Sequence, residues 1–133
     1  MTIALSIAVK NAELDAIETT IGASAVLKIR SGAPPGIGNA DAGTVLATLA
    51  LPADWMAAAN AGAKAKNGTW QDTSADAAGT AAHFRIYASD GTTAHIEGTI
   101  TATGGGGDLT LDNTNIAAGQ AVTITAFTLT AGN

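Results

Sequence analysis

Between residues 80 and 130 the chain is a succession of short apolar–polar runs cut by Asp-Gly and poly-Gly, with threonine filling most polar positions. Alternation of this kind marks strands with one buried face, and the glycine-rich punctuation marks where each strand turns back. Threonine is β-branched, so it stiffens a pleated surface and fits it. The stretch therefore constrains the chain to an antiparallel β fold of short strands and tight connections. It supplies few side chains able to act as nucleophile, base or ligand.

At 133 residues the chain has the length of one domain, long enough to bury roughly two-thirds of its unfolded surface. Alanine inflates the hydrophobic fraction of 47%; the large apolar set is a modest group of Ile, Leu and Val with two Phe, two Trp, one Tyr and two Met. Burying a Leu-sized side chain contributes about 1.5–3 kcal/mol and an alanine methyl far less, so the expected core is thin. A thin core points to stability gained partly from a neighbouring subunit or surface.

Charge excludes other classes. The net charge is −5 and the six basic residues are scattered, whereas nucleic-acid binders cluster Lys and Arg. The apolar start MTIALSIAV has no preceding basic residue and is followed at once by Lys10, unlike a signal peptide. No segment nears the roughly 20 apolar residues of a membrane span. With no cysteine, disulfides and thiolate metal sites are excluded.

Taken in order, residues 6–21 read as an amphipathic helix. Ile3, Ile7, Leu14, Ile17 and Ile21 fall at 3/4 spacing, interrupted by Lys10, with Ser6 as N-cap and Gly22 as the left-handed residue at the end. The helix either covers one face of the β domain or packs against a neighbouring subunit. The resulting division is an N-terminal helix over 1–22 and a β-sandwich over 23–133. Strands are expected over 25–31, 44–51 and 69–71. The proline- and glycine-rich segment 32–43 is a loop. Residues 52–61 have room for one or two helical turns, 62–68 read as an exposed loop, and 74–82 as a flexible connection. The 82–100 hairpin is expected to turn through Ser89-Asp90-Gly91, pairing Ile86 with Ala94 and Phe84 with Ile96. That register gathers His83, Arg85, Tyr87, His95 and Glu97 on the opposite face. Strands follow over 108–112 and 120–130, the last with a phase slip near Ala126 that implies a bulge or burial on both faces. Seven or eight short strands with long loops fit a jelly-roll or other Greek-key sandwich.

Candidate chemistry is sparse. A His–Glu pair, or two histidines and a carboxylate, is a possible proton-transfer or metal set. The cluster around His83 and His95 nevertheless has no nucleophile or orienting third group, and reads as an outer face for a partner. Gly104–Gly107 lacks the Lys-Ser/Thr of a phosphate loop and is followed by Asp108, so it is a turn. Asp72, Asp76, Asp108 and Asp112 lack the dense spacing of a calcium loop and read as solvated turn carboxylates. Trp55 and Trp70 are candidates for sugar stacking, but core or subunit-interface roles fit a lean interior better. No cofactor is expected.

Four stretches carry a resemblance: LDAIETTIGASAVLKIRSGAPP (14–35), GTVLATLALPADW (43–55), GTWQDTSADAAGTAAHFRIY (68–87) and GDLTLDNTNIAAGQAVTITAFTLT (107–130). Together they make the chain resemble the head-decoration, or cement, proteins of tailed phages, which have a jelly-roll fold and clamp the major capsid protein lattice. The resemblance implies a non-catalytic virion protein on the head surface, made in the bacterial cytoplasm, homo-oligomeric as dimer or trimer, and partnered by the major capsid protein. It carries over no active-site motif. A tail or fibre-attachment protein, or a carbohydrate-binding module, are the competing readings. The residues expected at interfaces are Ile3, Ile7, Leu14, Pro34 and Pro35, with His83, Arg85, Tyr87, His95 and Glu97.

Overall fold

The computed structural model describes residues 3–132. The protein is mainly β with one N-terminal helix. The helix α1 spans Ile7–Ile21; Ser6 is extended and its hydroxyl accepts from the Val9 N–H, capping the first turn. Gly22 ends the helix at φ 91°, its N–H donating to Glu18 O at 2.8 Å, but with ψ 179° in place of the left-handed value expected.

Among the described residues eleven short strands follow. β1 (Val26–Arg30), β2 (Val45–Ala50), β6 (His83–Tyr87), β7 (Ala94–Ala102) and β8 (Leu109–Leu111) form one sheet in the order β2-β1-β6-β7-β8. All its pairings are antiparallel except β7 with β8. Three two-stranded ladders complete the molecule: β3 (Ala63–Ala65) with β11 (Thr128–Thr130), β4 (Trp70–Asp72) with β10 (Val122–Ile124), and β5 (Gly79–Thr80) with β9 (Asn115–Ile116).

Register explains the core. Leu49, Leu27, Ile86 and Ile96 form one row across four strands, and Ala47, Ile29, Phe84 and Gly98 the next. Residues in a row share a face, and these rows bury against Trp70, Ile124 and Phe127 from the ladders. Gly98 is required where it stands, since a Cβ there would lie 2.6 Å from the Phe84 ring. The aromatics form a continuous chain: Trp55 to Trp70 at 6.0 Å between centroids, Trp70 to Phe127 at 5.4 Å, and Phe127 edge-on to Phe84 at 5.7 Å.

Several expectations need correction. The hairpin pairs Ile86 with Ile96 and Phe84 with Gly98, two residues out from the expected register. Asp90 accounts for the longer turn: its carboxylate accepts from the N–H groups of Thr92 and Thr93 and from the Thr93 hydroxyl, building an Asx turn. Residues 52–61 hold no helical turn; isolated bridges, Met56 to Lys66 and Asn60 to Ala63, fold them into β structure. Residues 62–68, expected as an exposed loop, contain β3 and the buried Lys64. The 74–82 connection contains β5 and is pinned by backbone bonds from Ala75, Asp76 and Ala81. The phase slip near Ala126 is a break between β10 and β11, which pair with different partners. The helix lies against the rest of the protein, with Leu14 and Ile21 buried.

Candidate interaction surfaces

The loop over 32–43 sits on a buried network of charge. β1 and β6 are neighbours, and their alternation places Arg30, His83, Arg85 and Tyr87 on the sheet face away from the core. The loop covers that face. Arg85 is only 2% exposed, and all five of its N–H groups are engaged. Nε donates to Glu97 at 2.8 Å, Nη1 to Asp41 at 2.8 Å and to Asn39 O at 3.1 Å. Nη2 donates to Gly36 O at 2.8 Å and to Asn39 O at 3.1 Å. Glu97 returns the contact by accepting from the Gly36 N–H at 2.9 Å. Asp41 also accepts from the Tyr87 hydroxyl and from Arg30 Nη2, each at 2.8 Å.

The electrostatics follow from this geometry. Burial by itself would raise the Asp41 carboxyl, but the Tyr87 hydrogen bond and the Arg30 and Arg85 guanidiniums outweigh it and hold Asp41 below the usual carboxylate range. Burial likewise disfavours the Arg85 cation, yet Glu97 and Asp41 more than compensate and raise its pKa. For the Tyr87 phenol, burial and the bond to Asp41 both act upward. Gly43 closes the loop at φ 75°, where a Cβ would stand 1.9 Å from Ser31 O. The loop is thus tied down on the sheet face, and its surface carries Pro34 exposed, Pro35 half-buried and Ile37 at 48% exposed.

A second staple fixes α1. Lys64 on β3 is 2% exposed and its ammonium donates to Asp15 at 2.7 Å and Ala57 O at 2.8 Å, with Glu18 at 2.9 Å. Burial opposes the Lys64 charge, but the two helix carboxylates overcome it and raise the pKa. The hydrogen bond from Lys64 in turn lowers Asp15. The Asn11 and Asp15 side chains also accept from the N–H groups of Gly62 and Ala59.

The expected interface residues divide. Ile3 and Ile7 are exposed, at 79% and 52%. Leu14, His83, Arg85 and Tyr87 are buried within the chain and present no outer surface. His83 Nδ1 lies 2.7 Å from Gly32 O, which makes it the donor, while its buried Nε2 has no partner. Glu97 joins Arg85 as expected. His95 does not join them: it occupies the bulge that shifts the hairpin register, is exposed, and borders a shallow groove beside Ile17 and Thr20 of α1. The sequence reading missed Arg30, Asp41, Lys64 and Ile37. One signal was available, since strand alternation puts Arg30 and Arg85 on one face with a single acid, Glu97. A second acid had to come from the adjoining loop, where Asp41 stands alone.

Trp55 and Trp70 are both fully buried, with their indole N–H groups donating to Gly22 O and Asn67 O. Gly104–Gly107 is a turn, as expected. Asp72 accepts from the N–H groups of Thr48 and Ser74, and Asp108 from the N–H and hydroxyl of Thr99. Among the described residues no three His, Cys, Asp or Glu side chains are grouped to hold a metal ion, and no helix is long and apolar enough to cross a membrane. Comparison with protein-family models, with curated proteins and with solved structures finds no match.

Proposed function

We propose that the chain is a structural protein of a tailed-phage virion, a decoration or cement protein that binds the outer surface of the major capsid protein lattice and stabilises the head. In this reading the fold is a jelly-roll sandwich, the five-stranded sheet forming one layer and the short ladders closing the other. The protein acts by shape and attachment, without turnover.

The observation that carries the reading is the Arg85-clamped loop with Ile37 at its surface. A loop held by four hydrogen bonds to one guanidinium loses little conformational entropy when it docks, so its apolar contacts go into affinity. Repetition over a shell of identical subunits then converts modest contacts into lasting attachment. The net charge of −5 suits a basic patch on the outer shell. A carbohydrate-binding role is disfavoured because Trp55, Trp70 and Tyr87 are buried and offer no platform for a sugar ring.

The test is reconstruction of particles incubated with the purified protein. Density repeating with the capsid lattice is the expected result. Density confined to the tail or its attachment point would transfer the protein to a tail role, and absence of binding would remove the virion reading.

A further inference from the structure

A cleft lies between β7 and β11. β7 pairs with β6 along most of its length but with β8 only at Ile100–Ala102, and β11 has one ladder, to β3. In an antiparallel ladder, alternate residues turn their N–H and C=O away from the partner strand. Ile100 donates to Ala82 O on the β6 side while the Thr99 N–H donates outward to Asp108, so Glu97, in phase with Thr99, also directs its backbone away from β6. On β11, the bonds from Lys66 N–H to Phe127 O and from Ala131 N–H to Gly62 O set the opposite phase for Thr128 and Thr130. Those two residues therefore turn their backbone groups away from β3. Glu97, Thr128 and Thr130 line the same cleft, together with Phe84, Ile96 and Phe127.

Across this cleft the outward backbone of Glu97 on β7 faces those of Thr128 and Thr130 on β11, beside the apolar side chains of Phe84, Ile96, Phe127 and Leu129 and the Asp108 carboxylate that holds the Thr99 N–H. Such a setting matches an extended peptide with apolar side chains at alternate positions. The chain carries such a segment. Residues 3–5, Ile-Ala-Leu, belong to no strand, and Ile3 is 79% exposed. Ser6 after them is extended, at φ −68° and ψ 158°. As a strand, the segment would place Ile3 and Leu5 on one face and Ala4 on the other. Its three residues equal the length of β11.

We propose that residues 3–5 of a second copy enter this cleft as a strand between β7 and β11, with Ile3 and Leu5 directed at Phe84 and Phe127. Reciprocal exchange closes a two-fold dimer. The proposal goes beyond the capsid reading and is tested on the isolated protein, so either can fail without the other.

Sedimentation of the full chain is expected to show the mass rising from that of the 13.0 kDa protomer to twice that value. The rise should fall between ~0.1 and ~100 μM, the range of a specific but modest dimer. Two variants disable opposite halves of the contact. Ile3→Asp with Leu5→Asp spoils the inserted segment. Thr130→Pro removes the N–H facing the cleft and spares the ladder to β3, as proline on an edge strand does. Each variant alone is expected to remain monomeric with unchanged circular dichroism. An equal mixture forms a 1:1 dimer, because one supplies an intact segment and the other an intact cleft.

Hydrogen exchange on the unmodified chain gives a readout independent of the variants. The Glu97 and Thr130 amides are expected to slow at high concentration. A wild-type chain that stays monomeric at ~100 μM, or a dimer insensitive to both substitutions, would overturn the proposal. So would protection of those amides only on addition of another protein, which would assign the cleft to that partner.

Discussion

Arg85 decides most at the scale of single residues. Its guanidinium gathers Glu97, Asp41 and the carbonyls of Gly36 and Asn39 into one planar set of contacts, a geometry lysine cannot reproduce. Arg85→Ala leaves Glu97 without its cation and Asp41 with Arg30 alone. It is expected to destabilise the fold by about 3 kcal/mol, the low end for a broken buried pair because Asp41 keeps contact with water. Arg85→Lys should recover only part of the loss, as measured by urea denaturation midpoints. Acid acts on the same network. Asp41 titrates below its unfolded value, so its contribution is fully present above about pH 4 and disappears as pH falls through the lower folded value. Asp41→Asn is therefore expected to flatten the loss of stability below about pH 4, and an equally steep loss in the variant would refute the assignment. The two arginines and Glu97 were readable from strand alternation. That the loop folds back over them was not, because the glycine- and proline-rich segment carries no periodicity to show where it goes.

Among the elements, α1 shows both what sequence conveys and where it stops. The 3/4 spacing, the Ser6 cap and the Gly22 stop place its ends within a residue, since capping is local chemistry. Its attachment is non-local and runs through Lys64, a residue that in sequence looks like part of a polar loop. Lys64→Met is expected to leave the sheet intact while speeding hydrogen exchange along Ile7–Ile21, as local opening of the helix becomes easier. Uniform protection in the variant would show that the buried Leu14 and Ile21 and the Asn11 and Asp15 hydrogen bonds hold the helix without Lys64. Lys64 is raised above its unfolded pKa, so its contribution persists below about pH 10 and is lost only above the folded value. The hairpin register was misread for a similar local reason. Asp90-Gly91 signals a short turn, but the Asp90 carboxylate captures Thr92 and Thr93 and lengthens it, and His95 is bulged out of the face it was expected to share.

For the molecule as a whole, the β-rich class followed directly from threonine-rich alternation and glycine punctuation, whereas the pairing of the short ladders did not. Strands of two or three residues have too little pattern to specify a partner. What unifies the ladders and the large sheet is the aromatic chain Trp55–Trp70–Phe127–Phe84. Trp70→Ala removes its middle member and is expected to cost about 3–5 kcal/mol, read as a lowered melting temperature. Both tryptophans should emit as buried indoles in the native protein, shifting to the red on unfolding. Native emission already at the red, water-exposed limit would contradict the core described here.

The central functional claim is that a pre-shaped loop surface, and no reaction, is what this protein contributes. The most direct measurement is cosedimentation with phage heads lacking decoration, comparing the wild type with Ile37→Asp, a surface change expected to leave the melting temperature within about 2 °C. Saturable binding by the wild type, weakened at least tenfold by the substitution, is the predicted result. Binding that ignores Ile37→Asp, or no binding by the wild type, would contradict it.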